Sequence, residues 1–122
     1  MKYAILCYHD ERVVTGWSRD QDEAVMARLA PVHAGLADEG RLGPVVRLLP
    51  TTAAATVRTD REEPLVLDGP FAETKEQLLG FYLVDCASLE EAIGIARSLG
   101  AANPGGAYEI RPVMLYKPGT AP

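Results

Sequence analysis

Cysteine is scarce in this sequence of 122 residues: Cys7 and Cys86 stand far apart and form no C-x-x-C pair. That spacing argues against a zinc site or a dithiol redox motif and leaves two buried free thiols as the expectation. Long hydrophobic runs are missing as well. No stretch approaches the roughly 20 apolar residues that span a bilayer, and the N-terminus reads as a strand, not as a charged segment followed by an apolar signal core. The protein is expected to stay in the cytoplasm, without a membrane partner. Positive charge is in deficit, with 12 Lys and Arg against 17 Asp and Glu, a net charge of −5. The basic residues are scattered, so there is no patch for a phosphate backbone and no direct nucleic-acid partner is expected. There is no G-x-G-x-x-G, Walker loop, G-x-S-x-G or H-E-x-x-H, and nucleotide, serine-hydrolase and zinc-protease readings lack their minimal parts. No cofactor or metal is therefore assigned.

The chain does carry a normal globular composition, 48% hydrophobic and 24% charged, in a length suited to one domain. Residues 1–117 are read as that domain and 118–122 as a tail. Lys2 to Tyr8 is apolar on both faces, as in a central strand. Ser18 and Gln21 fit a capping box, after which Val25, Leu29, Val32 and Leu36 recur at helical spacing, predicting a helix over Arg19–Glu39. Pro31 within it predicts a kink or a break. Arg41 to Leu49 returns as an irregular edge strand around Gly43 and Pro44. Thr51–Thr59 and Pro64–Leu67 flank a polar tetrapeptide as a hairpin. Gly80 to Asp85 is a second apolar strand. Ser88 and Glu91 form another capping box before an apolar stripe that ends at Gly100. Ala107 to Tyr116 alternates as a last strand, with Pro112 requiring a bulge or an edge.

This order predicts an α+β fold, a ferredoxin-like βαββαβ sandwich with an inserted hairpin and both helices on one face of an antiparallel sheet. The other face would expose large side chains from the first strand, from Phe81 or Tyr82, and from Tyr108. A second copy of the chain is the simplest cover, so a homodimer is expected.

The most distinctive stretch is Asp68-Gly69-Pro70-Phe71-Ala72-Glu73-Thr74-Lys75-Glu76, a Gly-Pro turn behind an apolar strand. With K-Y-A-I-L-C-Y at the start, T-V-R, G-F-Y-L-V, S-L-E-E-A and E-I-R-P-V, it resembles the YCII-related proteins, in particular the branch named after the D-G-P-F motif. The resemblance implies a dimeric α+β barrel. It also implies little about activity: some relatives are encoded beside extracytoplasmic-function sigma factors, or fused to them, and a few act on muconolactones. For the wider family a dyad of a histidine on the first helix and an aspartate is implied. His33 is the matching histidine and Asp68 the candidate acid, although the wider family places its aspartate later, where this chain has Asn103.

An imidazole titrates near neutrality, and a carboxylate would orient it, so His33 is the candidate acid or base and Asp68 its partner. The ligand, small and anionic or carbonyl-containing, is expected between the sheet and the helices near the D-G-P-F turn, with Tyr82 and Arg111 as candidate binding residues. Glu109 lies two residues before Arg111 on the same side of the strand, so an ion pair between the two is the favoured reading for Arg111 over ligand binding. The fold is expected to make the first strand and Gly80–Asp85 parallel neighbours, which would bring His9 and Cys86 to one sheet end with Asp10 or Asp85, but no ligand spacing supports a metal there. The expected function is small-molecule binding with cofactor-independent acid-base chemistry of the lyase, isomerase or hydrolase kind. The alternative is a non-catalytic accessory module of a sigma factor.

Overall fold

A computed structural model describes all residues, 1–122. Strand β1 (Lys2–Asp10) is followed by a short helix α1 (Glu11–Thr15), the long helix α2 (Arg19–Asp38) and strand β2 (Leu42–Arg47). A 3-10 turn at Thr51–Ala53 leads into β3 (Ala55–Arg58) and β4 (Leu65–Asp68). Strand β5 (Glu76–Asp85), helix α3 (Leu89–Ala102) and strand β6 (Ala107–Pro112) complete the chain. The main sheet has the order β2-β5-β1-β6, while β3 and β4 pair only with each other. Strand, helix and strand thus occur twice around the inserted hairpin, in the order of a ferredoxin-like split βαβ.

All neighbours in the main sheet are antiparallel, with Lys2 opposite Asp85 and Asp10 opposite Glu76. That corrects the parallel pairing considered from sequence. In a split βαβ the two parallel strands are separated by an antiparallel one, so β1 and β5 must oppose each other. His9, opposite Gln77, and Cys86, beside the N-terminal amine, consequently lie at opposite sheet ends and cannot share a metal ion.

Alternation along β1 and β5 sends Tyr3, Ile5, Tyr82 and Val84 into a core shared with Val25, Leu29 and Leu36 of α2 and Ala92, Ile95, Ala96 and Leu99 of α3. Both helices therefore cover the same face. Burying each of the larger aliphatic chains contributes about 1.5–3 kcal/mol. The alanines of α3 bring that helix close to the sheet.

Helix α2 starts at the expected capping box: Ser18 Oγ accepts from Gln21 N at 3.1 Å and Ser18 N donates to Gln21 Oε1 at 2.8 Å. It does not break at Pro31. Pro31 and Ala27, whose carbonyl loses its helical donor, both lie on the exposed side of the helix, away from the core. The box of α3 is half built, because Glu91 Oε2 accepts from Ala87 N instead of Ser88 N. That helix also passes Gly100 and ends at Asn103, with Gly100 packed against the Tyr108 ring.

Strand β2 is an irregular edge with a register shift between Leu42 and Val45, and β6 is the opposite edge, ending at Pro112. Both proline effects read from the sequence are thereby accommodated at edges. On the sheet face away from the helices, Val46, Phe81 and Leu6 form one cross-strand row, and Ala4 and Leu83 another. All five are half-buried. The hairpin leaves Val57 59%, Val66 67% and Phe71 73% exposed. No helix is long and apolar enough to cross a membrane.

Candidate functional site

Between the sheet and α2 lies a cavity of about 120 Å³, with 12 hydrophobic residues among its 18 lining residues. At about 10–15 Å³ per water, it has room for a ligand of roughly ten non-hydrogen atoms. Local irregularities make this space. The β1–β5 pairing shifts register between Cys7 and Tyr8, and Gly80, opposite Cys7, contributes no side chain. Gly80 is also required for the sheet, since a Cβ there would come within 2.4 Å of the Val46 carbonyl oxygen. Trp17, in the turn between α1 and α2, and Met26 and Leu29 on α2 supply apolar wall.

Into this wall α2 delivers His33, whose Nε2 lies 2.9 Å from the Tyr82 hydroxyl on β5, with the two rings edge-on at 5.3 Å. Burial pulls the His33 pKa below its ordinary 6.5, which keeps the imidazole neutral at pH 7. Burial also pushes Tyr82 up to about 12. A protonated phenol beside a neutral imidazole makes Tyr82 O–H the natural donor to Nε2, with the ring proton on Nδ1. Tyr108, likewise raised to about 12, and Cys7, raised to about 11, are also held protonated by burial. Burial thus disfavours the Cys7 thiolate, the form that acts as a nucleophile.

His9 bounds the cavity from the end of β1 and is 8% exposed. Its Nδ1 lies 3.2 Å from the Asp10 carbonyl oxygen, and its ring meets Trp17 edge-on at 6.2 Å. Gly105, at φ +102, and Gly106 press against this imidazole, where a Cβ on either would come within 3.1 Å of a ring atom. Asn103 lines the same cavity, with its Oδ1 shut away from solvent and without a hydrogen-bond partner.

Of the residues expected from sequence, the structure brings His33 and Tyr82 together and leaves two elsewhere. Asp68 ends β4 on the separate hairpin, opposite Ala55; it is exposed and does not line the cavity of His33. The cavity does lie between sheet and helices, but no residue of the D-G-P-F turn lines it. That turn instead stays with its own hairpin, where Gly69 N donates to the Ala54 carbonyl and Thr56 Oγ1 to the Gly69 carbonyl. Arg111 stands opposite Ala4 on the helix-free face, exposed, and forms no ion pair with Glu109. Strand alternation puts both on the side opposite Tyr108 and Ile110.

Against known proteins, the YCII-related domain matches residues 1–117. The chain belongs to the YCII-related family. An uncharacterized protein of Rhizobium meliloti (strain 1021) is 60% identical over 123 residues, covering 100% of this chain and 99% of its own length. Within the YCII-related fold, the position at which the resemblance placed an aspartate is Asn103, and it shares the cavity with His33. Sequence reasoning did not give a cavity role to Asn103, Trp17 or Arg47. The irregular Gly43-Pro44 segment before Arg47 was the available signal, because a register shift there decides which way the following side chains point.

Proposed function

We propose that this YCII-related protein binds a small, largely apolar carbonyl compound in the cavity beneath α2 and shifts a proton beside that carbonyl without a cofactor. The hydrogen bond between His33 and Tyr82 at the wall of that cavity carries the reading. A ligand carbonyl beside Tyr82 takes over its O–H, which frees the Nε2 lone pair of His33. That nitrogen removes the proton from the adjacent carbon, the C–H electron pair becomes the enolate, and the Tyr82 hydroxyl holds the developing oxyanion. Returning the proton at a different atom gives an isomerisation, and expulsion of a leaving group gives an elimination. A lowered His33 pKa favours the neutral base at pH 7.

The proposed assembly is a homodimer, in the manner of an α+β barrel. The half-buried row of Leu6, Phe81 and Val46 on the helix-free face supports it.

The test is deuterium incorporation beside the carbonyl, followed by NMR in D2O over a panel of small keto acids and lactones. Wild-type protein should catalyse exchange for at least one compound. His33→Gln should lower that rate by about 10²–10⁴-fold with the melting temperature nearly unchanged. Full exchange by the variant would remove His33 from the mechanism.

A second reading treats the D-G-P-F turn as a docking surface for a partner protein, such as an extracytoplasmic-function sigma factor. The 73% exposure of Phe71 favours it. It predicts no exchange in the wild type, and a partner complex that survives His33→Gln but not Phe71→Ser.

A further inference from the structure

No aspartate or glutamate lines the cavity, although the whole chain carries a net charge of −5. Its basic side chains are His9, His33 and Arg47, and the guanidinium of Arg47 carries a permanent charge.

Arg47 ends β2 and reaches across to α2, where Nη1 donates to Asp22 Oδ2 at 3.2 Å and Nη2 to Asp22 Oδ1 at 2.6 Å. This end-on pairing occupies the tip of the fork. The Nε–H on the side edge of the guanidinium makes no hydrogen bond. The Arg47 side chain is half exposed and lines the cavity, and its Nε–H is left as an unpaired donor. Asp22 holds the guanidinium plane still and leaves a second, side-on bidentate position available.

We infer that Arg47 reads the carboxylate of the ligand, so that the compounds accepted by this cavity are small, mostly apolar carboxylic acids. The inference rests on the binding cavity proposed above and adds the substrate class. The apolar body is enclosed by Met26, Leu29 and Trp17, while the carboxylate stays at the Arg47 end. One planar guanidinium matches a planar monoanion. A phosphate dianion would require more cationic partners than this wall offers. Asp22 is a positioning residue, and the ligand adds to the Arg47–Asp22 pair instead of replacing it.

Benzoate and benzamide, matched in size and differing in charge, are the probes. Titration followed by 1H–15N NMR reads both affinity and the Arg47 Nε–H resonance. Wild-type protein should bind benzoate about tenfold more tightly than benzamide, the scale of a charge-assisted hydrogen bond, and the Nε–H signal should move with benzoate alone. Arg47→Met should bind the two equally, at the benzamide level. Arg47→Lys keeps the charge without the fork, guards against loss of folding, and should retain only part of the preference. Asp22→Asn removes the charged brace on the fork, so the shift of the Arg47 Nε–H resonance with benzoate should be smaller than in the wild type. Equal binding of both probes by the wild type, or an undiminished preference in Arg47→Met, would overturn the role of Arg47 and leave the cavity standing. Failure of the wild type to bind either probe would overturn the inference and the cavity reading together.

Discussion

His33 illustrates how much a single contact changes the meaning of a residue. From sequence it is an imidazole on a helix beside an apolar stripe; in the fold it is a neutral base 2.9 Å from a phenol that burial keeps protonated. Because burial places its native pKa below 6.5, the unfolded chain takes up a proton before the native one does. Stability should accordingly fall as pH drops through about 6.5 and level off below the native value. The same titration sets the acid limb of the exchange rate, with an apparent pKa below 6.5, readable from a pH–rate profile. Tyr82→Phe should cost about 0.5–1.5 kcal/mol of stability in denaturant melts. It should also lower the rate by about 10²–10³-fold, as loss of an oxyanion donor does, while the acid limb persists because it belongs to His33.

Among the elements, the edge strand β2 and the hairpin behave differently although both are irregular. Strand β2 lies so close to β5 that a Cβ on Gly80 would meet the Val46 carbonyl oxygen at 2.4 Å. Gly80→Ala should destabilise the domain by about 1–3 kcal/mol, the usual cost of overpacking, and amide exchange should show β2 opening first. The hairpin has no such coupling at Asp68, whose side chain makes neither a hydrogen bond nor an ion pair. Asp68→Ala should change stability by no more than about 0.5 kcal/mol in a thermal melt, and should leave the cavity intact. The elements themselves were legible in the sequence wherever a local signal was strong: Ser18 with Gln21 for α2, Ser88 for α3, and unbroken apolar runs for β1 and β5. Helix α1 was missed because it is five residues long, buries nothing, and has only the Asp10 cap to announce it. Strand β5 proved longer than its apolar run because its first residues, Glu76 and Gln77, pair with Asp10 and His9, and pairing, not hydrophobicity, keeps them extended.

For the whole molecule, the helix-free sheet face is the feature with the largest consequence. Leu6, Phe81 and Val46 stand in register across three strands, and a charge in the centre of that row opposes burial against any partner. Phe81→Glu should convert the proposed homodimer to monomers in light scattering after size exclusion, with the helical signal retained. A wild-type chain that is monomeric at every concentration would end the dimer proposal.

The amino-acid pattern alone determined the class of fold, the succession of the longer elements and the family, because capping, periodicity and a nine-residue motif are local properties of a chain. Which chemical groups meet was decided only by tertiary structure. Strand alternation turns Tyr82 toward α2 and Arg111 away from it, the register shift in β2 precedes the wall that includes Arg47, and the hairpin keeps Asp68 apart from His33. Such choices depend on pairing partners distant in sequence, and a shift of one residue in that pairing reverses the face on which a side chain emerges.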